Sequence, residues 1–169
     1  LVTGASRGIG RAIAERLAAD GMRVVLAARS EGAALSSRDT GAGDHLAVKM
    51  DVADAASIDA ALATITATVG GIDVLVNNAG IAESKPYTRT DDAMWQRMMD
   101  INALGPMRLC RALIPGMIER GWGRVVVVAS NAGLTGYGYS SAYCASKHAV
   151  IGYMRAVALE IAKTPVTIN

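Results

Sequence analysis

The chain has no phenylalanine, and aromatic residues of all kinds make up only 4% of its 169 positions. With so few large rings, the 51% of residues that are hydrophobic must fill a core with aliphatic and small side chains, and helices must pack closely. Cysteine is nearly absent. Cys110 and Cys144 both fall in helical patterns and lack metal-ligand spacing, which excludes a disulfide framework and points to a reducing, cytoplasmic setting with no metal site. Excess charge is also missing. A net charge of +2, scattered along the chain, argues against nucleic acid or an anionic membrane as partner. No apolar run exceeds strand length, and no stretch reads as a signal peptide or a membrane span. There is no internal repeat, no low-complexity segment and no second domain.

What is present alternates between short β-branched runs and amphipathic helical patterns. Strands are expected at 1–2, 23–28, 46–50, 72–76 and 125–128, with a last one beginning after Pro165. Helices are expected over 11–19, where Ile9, Ile13 and Leu17 form a stripe, and over 58–69, closed by Gly70-Gly71. A third runs from about 91 to Asn102, is loosened by Gly105-Pro106 and resumes to about 119; a fourth carries Tyr143 and Lys147 to about 163. The stretch 31–44 is polar, with at most a short helix, and His45 reads as a surface residue. This order predicts an α/β fold, a doubly wound parallel sheet in three α-β-α layers. The chain opens inside a strand and stops at the start of another, so 1–169 is expected to be a single dinucleotide-binding and catalytic domain, incomplete at both termini.

The first strand runs straight into Gly4, Ser6, Arg7, Gly8, Ile9 and Gly10 and then a helix. Glycines there permit a tight turn and close approach of a pyrophosphate, and free N–H groups at the helix start attract it. The spacing G-x-x-x-G-x-G differs from the commoner dinucleotide pattern. The second strand ends at Ala28, Arg29 and Ser30, with no carboxylate for a ribose 2′-hydroxyl, and Arg7 projects toward the same region. Two guanidiniums favour the 2′-phosphate of NADP(H), with NAD(H) possible; the structural alternative is that both are solvated surface charges. Asp51 can accept from an adenine amino group with Val52 against the ring, or it can be a helix N-terminal acid. Asn77, Asn78, Ala79 and Gly80 follow the fourth strand, where side-chain amides can tie neighbouring backbones beside a ligand.

Ser130 stands at the end of the fifth strand, Tyr143 follows thirteen residues later, and Lys147 lies one helical turn beyond. Tyr-x-x-x-Lys alone is common on amphipathic helices and means only a partly buried phenol beside a charge. With the strand-end serine and the glycine turn it reads as a proton-transfer group. An ammonium about 5 Å from a phenol, at an effective dielectric near 20, favours the phenolate by roughly 3 kcal/mol. Ser130 can hydrogen-bond the reacting oxygen. Asn102, an amide inside an apolar helical stretch, calls for a buried partner or a water. Leu134, Tyr137 and Tyr139 suggest an apolar, aromatic pocket wall, and Arg120 and Arg124 read as solvated charges.

These motifs resemble the short-chain dehydrogenase/reductase family over essentially the whole chain: T-G-x-x-x-G-I-G at 3–10, Asp51-Val52, N-N-A-G at 77–80, Asn102, Ser130 and Y-x-x-x-K at 143–147. The resemblance implies Tyr143 as acid/base, Ser130 as positioner of the substrate oxygen, and Lys147 as tuner of the tyrosine and binder of the nicotinamide ribose. Asn102 would hold a water in the proton relay. The middle of the chain is most similar to 3-oxoacyl reductases and 3-hydroxyacyl dehydrogenases. The family resemblance therefore implies an NADP(H)-dependent oxidoreductase acting on a small-molecule carbonyl or alcohol, conceivably a 3-oxoacyl thioester, and a homo-oligomer (dimer or tetramer). Two other readings stay open: an NAD-dependent catabolic alcohol or 3-hydroxyacyl-CoA dehydrogenase, and a non-catalytic dinucleotide sensor.

Overall fold

The computed structural model describes residues 1–30 and 44–169. The polar stretch expected at 31–44 therefore lies, apart from Asp44, outside the described residues. Six strands, β1 (Val2–Thr3), β2 (Val25–Ala28), β3 (Leu46–Lys49), β4 (Val74–Asn77), β5 (Gly123–Val127) and β6 (Val166–Ile168), form one sheet. Its order is β3-β2-β1-β4-β5-β6 and every neighbouring pair is parallel. The chain winds outward to β3, returns to the centre, and winds out the other way, so the direction reverses between β1 and β4. Ligands bind at such a reversal, beyond the carboxyl ends of the strands.

Period-two alternation explains why β2 is apolar throughout. In β2, Val25 and Ala27 join the larger core, while Leu26 and Ala28 join the smaller one on the opposite face. The larger core is covered by α2 (Ala55–Val69), α4 (Gly105–Glu119) and α5 (Ser141–Glu160), through side chains such as Ile58, Ile65, Leu109, Met117 and Val150. The smaller is covered by α1 (Gly8–Ala19). Helix α1 starts three residues earlier than expected, which puts the glycines in its first turn. Its packed face is Gly10 and Ala14 flanked by Ile13 and Leu17; Ile9, expected in that stripe, is exposed. Helix α2 also begins early, because Asp54 caps it by accepting from the Ala56 N–H (3.0 Å).

Between α3 (Asp92–Met99) and α4 the helix does not break. It widens into a π-turn over Asp100–Leu104, which contains Asn102, and α4 follows directly with Pro106 near its start. A proline without an N–H is tolerated where the regular ladder is already interrupted. Arg120, exposed as expected, also ties the end of α4 to the start of β4. Its Nη2 donates to the Ile72 carbonyl (2.6 Å) and its Nε lies 3.2 Å from Asp73 Oδ1. His45 is half-buried, its Nδ1 accepting from the Val24 N–H (3.1 Å). Both cysteines are buried. Among the described residues no helix is long and apolar enough to cross a membrane.

Candidate active site

Two cavities open at the carboxyl end of the sheet. The first, about 370 Å³, sits at the β1/β4 reversal and is lined by Gly4, Ser6, Arg7, Gly8, Ile9, Arg29, Asp51, Val52, Asn78, Ala79 and Gly80, together with Ala28, Met50, Ile81 and Ile101. A third hollow of about 390 Å³, around Leu1, Val24 and Trp122, lies away from every motif residue.

The first cavity is shaped by backbone. Gly4 has φ +65°, open to glycine at no steric cost, and a side chain on it would meet Ala79 Cα at 3.0 Å. Gly10 does not line the cavity. It is buried beneath it, where a Cβ would collide with the Gly4 carbonyl and the Asn78 amide. The turn can therefore lie flat against the strand end. Arg7, at the N-cap of α1, makes no side-chain cap, and the first turn of α1 carries no acidic residue. The helix start is left electropositive toward the cavity. Asn78 ties the two central strands together, its Nδ2 donating to the Thr3 carbonyl (2.9 Å). Thr3 Oγ1 accepts from the N–H groups of Asn78 and Ala79, both at 3.0 Å. The expected amide tie is thus present. Thr3, the first residue of the T-G-x-x-x-G-I-G motif, is the hydroxyl partner in this tie.

Asp51 is not the acid that caps the following helix. It lines the cavity, and its Oδ1 accepts from the Ala53 N–H (3.0 Å); Asp54 is the residue that caps the following helix. Arg108 on α4 steadies this corner by donating to the Ala53 carbonyl (3.0 Å). Arg7 and Arg29 are exposed and flank the cavity. Asn77 points away from it, into the core: its Nδ2 donates to Cys110 Sγ (3.6 Å), and burial pushes that thiol up to about 11.

The second cavity, about 320 Å³, joins Ser130 and Tyr143, with Ala82, Glu83, Ser84, Asn131, Ala132, Tyr137 and Ser140 around them. Ser130 Oγ accepts from the Ala132 N–H (3.1 Å), which fixes the hydroxyl at the start of a short 3-10 turn. Lys147 is buried, its Nζ 5.9 Å from the Tyr143 ring centroid and donating to the Val128 carbonyl (2.9 Å). Burial pushes its ammonium below the ordinary lysine value. Gly80, on the wall of the first cavity, lies beside this ammonium: a side chain on it would stand 3.8 Å from Lys147 Nζ.

The Asn102 side chain is committed to protein. Its Nδ2 donates to the Ile81 carbonyl (2.9 Å) and to Ser146 Oγ (3.0 Å), and its Oδ1 accepts from the Ile81 N–H (2.9 Å). Ser146, fully buried, in turn donates to the Tyr143 carbonyl (2.8 Å). The amide therefore braces the π-turn against the helix carrying Tyr143 and Lys147. Ser146 escaped notice because nothing in its spacing marks it. The anticipated aromatic wall is also revised. Tyr137 lines the second cavity, but Leu134 and Tyr139 are exposed and do not, and the lining mixes the Tyr137 and Tyr143 rings with serine, asparagine and glutamate residues. Among the described residues no cluster of three His, Cys, Asp or Glu side chains is gathered for a metal ion.

A family profile described as short chain dehydrogenase matches residues 1–169. The chain is 39% identical to the 3-oxoacyl-[acyl-carrier-protein] reductase FabG of Escherichia coli over 169 residues, covering all of this chain and 69% of that protein. It is 38% identical to galactitol 2-dehydrogenase of Agrobacterium fabrum, covering all of this chain and 66% of that one. Among solved structures, a metagenomic short-chain oxidoreductase in complex with NADP superposes with a TM-score of 0.94 at 35% identity, over 99% of this chain and 77% of that one.

Proposed function

The chain belongs to the short-chain dehydrogenase family, and on that premise we propose that it is an NADP(H)-dependent oxidoreductase interconverting a ketone and a secondary alcohol, with Tyr143 as acid/base. The observation that carries this reading is that Lys147 stands between the two cavities' residues: its Nζ is beside Gly80 of the cavity shaped for a dinucleotide and 5.9 Å from the ring of Tyr143, which lines the other with Ser130.

The residues fit the cofactor. The flat turn at Gly4, which the close packing of Gly10 permits, and the uncapped start of α1 suit a pyrophosphate. Arg7 and Arg29 flank the cavity where a 2′-phosphate would lie, which favours NADP over NAD. Asp51 and Val52 would hold the adenine, and Lys147 the nicotinamide ribose. When bound, NADPH supplies the hydride for the carbonyl carbon, and NADP⁺ takes it up in the reverse direction.

The protein's own part is to orient the substrate and move one proton. Ser130 donates a hydrogen bond to the carbonyl oxygen and holds it toward the phenol. Tyr143 gives its proton to that oxygen as the alcohol forms, and retrieves one in the oxidative direction. Lys147 places positive charge beside the ring, fixed by the Val128 carbonyl. Because the Asn102 side chain is engaged by Ile81 and Ser146, its service to the proton relay is to hold the π-turn and α5 in register, and any water it binds sits on atoms left free by those bonds.

Two substrate classes follow from the relatives. A 3-oxoacyl thioester fits the reductase likeness. An alcohol dehydrogenase of hydroxylated substrates is favoured by the glutamate, asparagine and serine residues among those lining the second cavity and by the galactitol 2-dehydrogenase likeness. Cytoplasmic residence and a homo-oligomeric state belong to the same proposal and are tested by light scattering and fractionation of the full protein. The enzymatic reading itself is tested by NADPH oxidation with a panel of ketones, using Tyr143→Phe as the inactive control. Turnover that persists in this variant overturns the assignment of the acid.

A further inference from the structure

Glu83 lines the same cavity as Ser130 and Tyr143. Its two carboxylate oxygens lie 3.0 and 2.9 Å from Nη2 of Arg97, on α3. The guanidinium fixes the carboxylate but does not exhaust it, since two oxygens offer about four acceptor positions. The loop carrying Glu83 is fastened across the cavity mouth. The Lys85 N–H donates to the Tyr139 carbonyl (2.8 Å), and Ser84 Oγ lies 3.2 Å from Ser140 Oγ. Tyr139 holds φ +65°, an unusual conformation for a tyrosine, and presents its carbonyl to that bond. The acceptor is therefore positioned, and not merely present on a surface.

An acyl chain entering here would have to cover a carboxylate, an amide and two serine hydroxyls without replacing their hydrogen bonds to water, which is unfavourable. A substrate hydroxyl would replace a water on Glu83 without that loss. We propose that Glu83 is a specificity-determining residue that selects ketones and secondary alcohols bearing a further hydroxyl group. The inference rests on the oxidoreductase reading above and deepens it by choosing between its two substrate classes.

The experiment uses the full protein and three probes: 1-hydroxybutan-2-one, butan-2-one and the N-acetylcysteamine thioester of 3-oxobutanoate. The wild type is expected to prefer the hydroxyketone over butan-2-one in kcat/KM by roughly tenfold or more, as a positioned charged acceptor allows, and to turn over the thioester no better than butan-2-one. Glu83→Gln keeps an acceptor and should retain part of the preference; Glu83→Ala should bring the ratio to within about twofold of unity. A preference that survives Glu83→Ala, or efficient thioester turnover indifferent to Glu83, overturns the proposal. A second measurement separates it from the catalytic reading. Calorimetric binding of the hydroxyketone to NADP-loaded Tyr143→Phe should weaken about tenfold when Glu83→Ala is added, and unchanged binding refutes the role of Glu83. Retained turnover in Tyr143→Phe would instead strike the acid assignment while leaving the Glu83 ratio readable.

Discussion

The wall around Thr3, Gly4 and Asn78 is made of backbone groups and buried small side chains, whereas the wall around Glu83, Tyr137 and Ser140 is made of side chains on two exposed loops. On the first, each polar group is tied to a strand of the central sheet, and an added methyl has nowhere to go. On the second, the ties run from loop to loop, and a tyrosine adopts a backbone shape that glycine would adopt more readily. A cofactor of constant shape can be met by a fixed surface built into the sheet. A substrate is recognised by parts that can be exchanged without disturbing it. The contrast predicts that changes on the two sides have separable effects.

The largest separation is expected for Tyr143→Phe, which removes one proton donor and nothing from the cofactor wall. Turnover should fall by about 10²–10⁴-fold, the usual range for a lost general acid, with NADPH affinity by fluorescence titration nearly unchanged. A cofactor affinity that falls in parallel would break the contrast. Arg29→Asp acts in the opposite compartment. It should move the NADP-to-NAD ratio of kcat/KM toward NAD by roughly tenfold to a hundredfold, the weight of charge-assisted phosphate hydrogen bonds, without altering preference among ketones. An unmoved ratio would make Arg29 a surface charge only.

The smaller effects concern stability. Gly10→Ala puts a methyl against backbone at Gly4, where only a backbone shift can make room. It should cost about 1–3 kcal/mol, as overpacking does, and weaken NADPH binding, both visible in thermal melts with and without cofactor. Tyr139→Gly is the mirror experiment. Relief of the left-handed tyrosine and the entropy cost of glycine oppose each other at about 1 kcal/mol each. Its unfolding free energy should stay within about 1 kcal/mol of wild type, with NADPH affinity intact. Equal damage from the two variants would erase the distinction between the walls.

The same contrast governs what the sequence reveals. The glycine turn, the strand alternation and the Asn78 tie were legible because they rest on local backbone geometry and period, which residue type encodes directly. Thr3 belongs to that wall, yet it needed the sheet order to bring Asn78 to it from 75 positions away. Arg120 is solvated, as its position suggests, but its tie to Asp73 is not legible, because Asp73 lies 47 positions earlier and only the fold juxtaposes them. The loosening after Asn102 was anticipated from Gly105 and Pro106, but whether a helix kinks, breaks or widens depends on its neighbours, here Ile81 and Ser146. The substrate wall was least legible. Leu134 and Tyr139 have the composition of a pocket, but both are exposed and outside the cavity lining, which Glu83 joins.

Cys110 gives this molecule an internal clock. Its thiol is fully covered between β4 and α4, bonded to Asn77, and pushed up to about 11. Alkylating reagents need an exposed thiolate, so at neutral pH this sulfur reacts only while the helix has lifted from the sheet. The labelling rate of Cys110, followed by mass spectrometry, therefore counts those openings. Because the adjoining Asn77 leads directly into the cofactor wall, bound NADPH should slow the count. The seal between α4 and the sheet can thus be timed without attaching any probe to the active site.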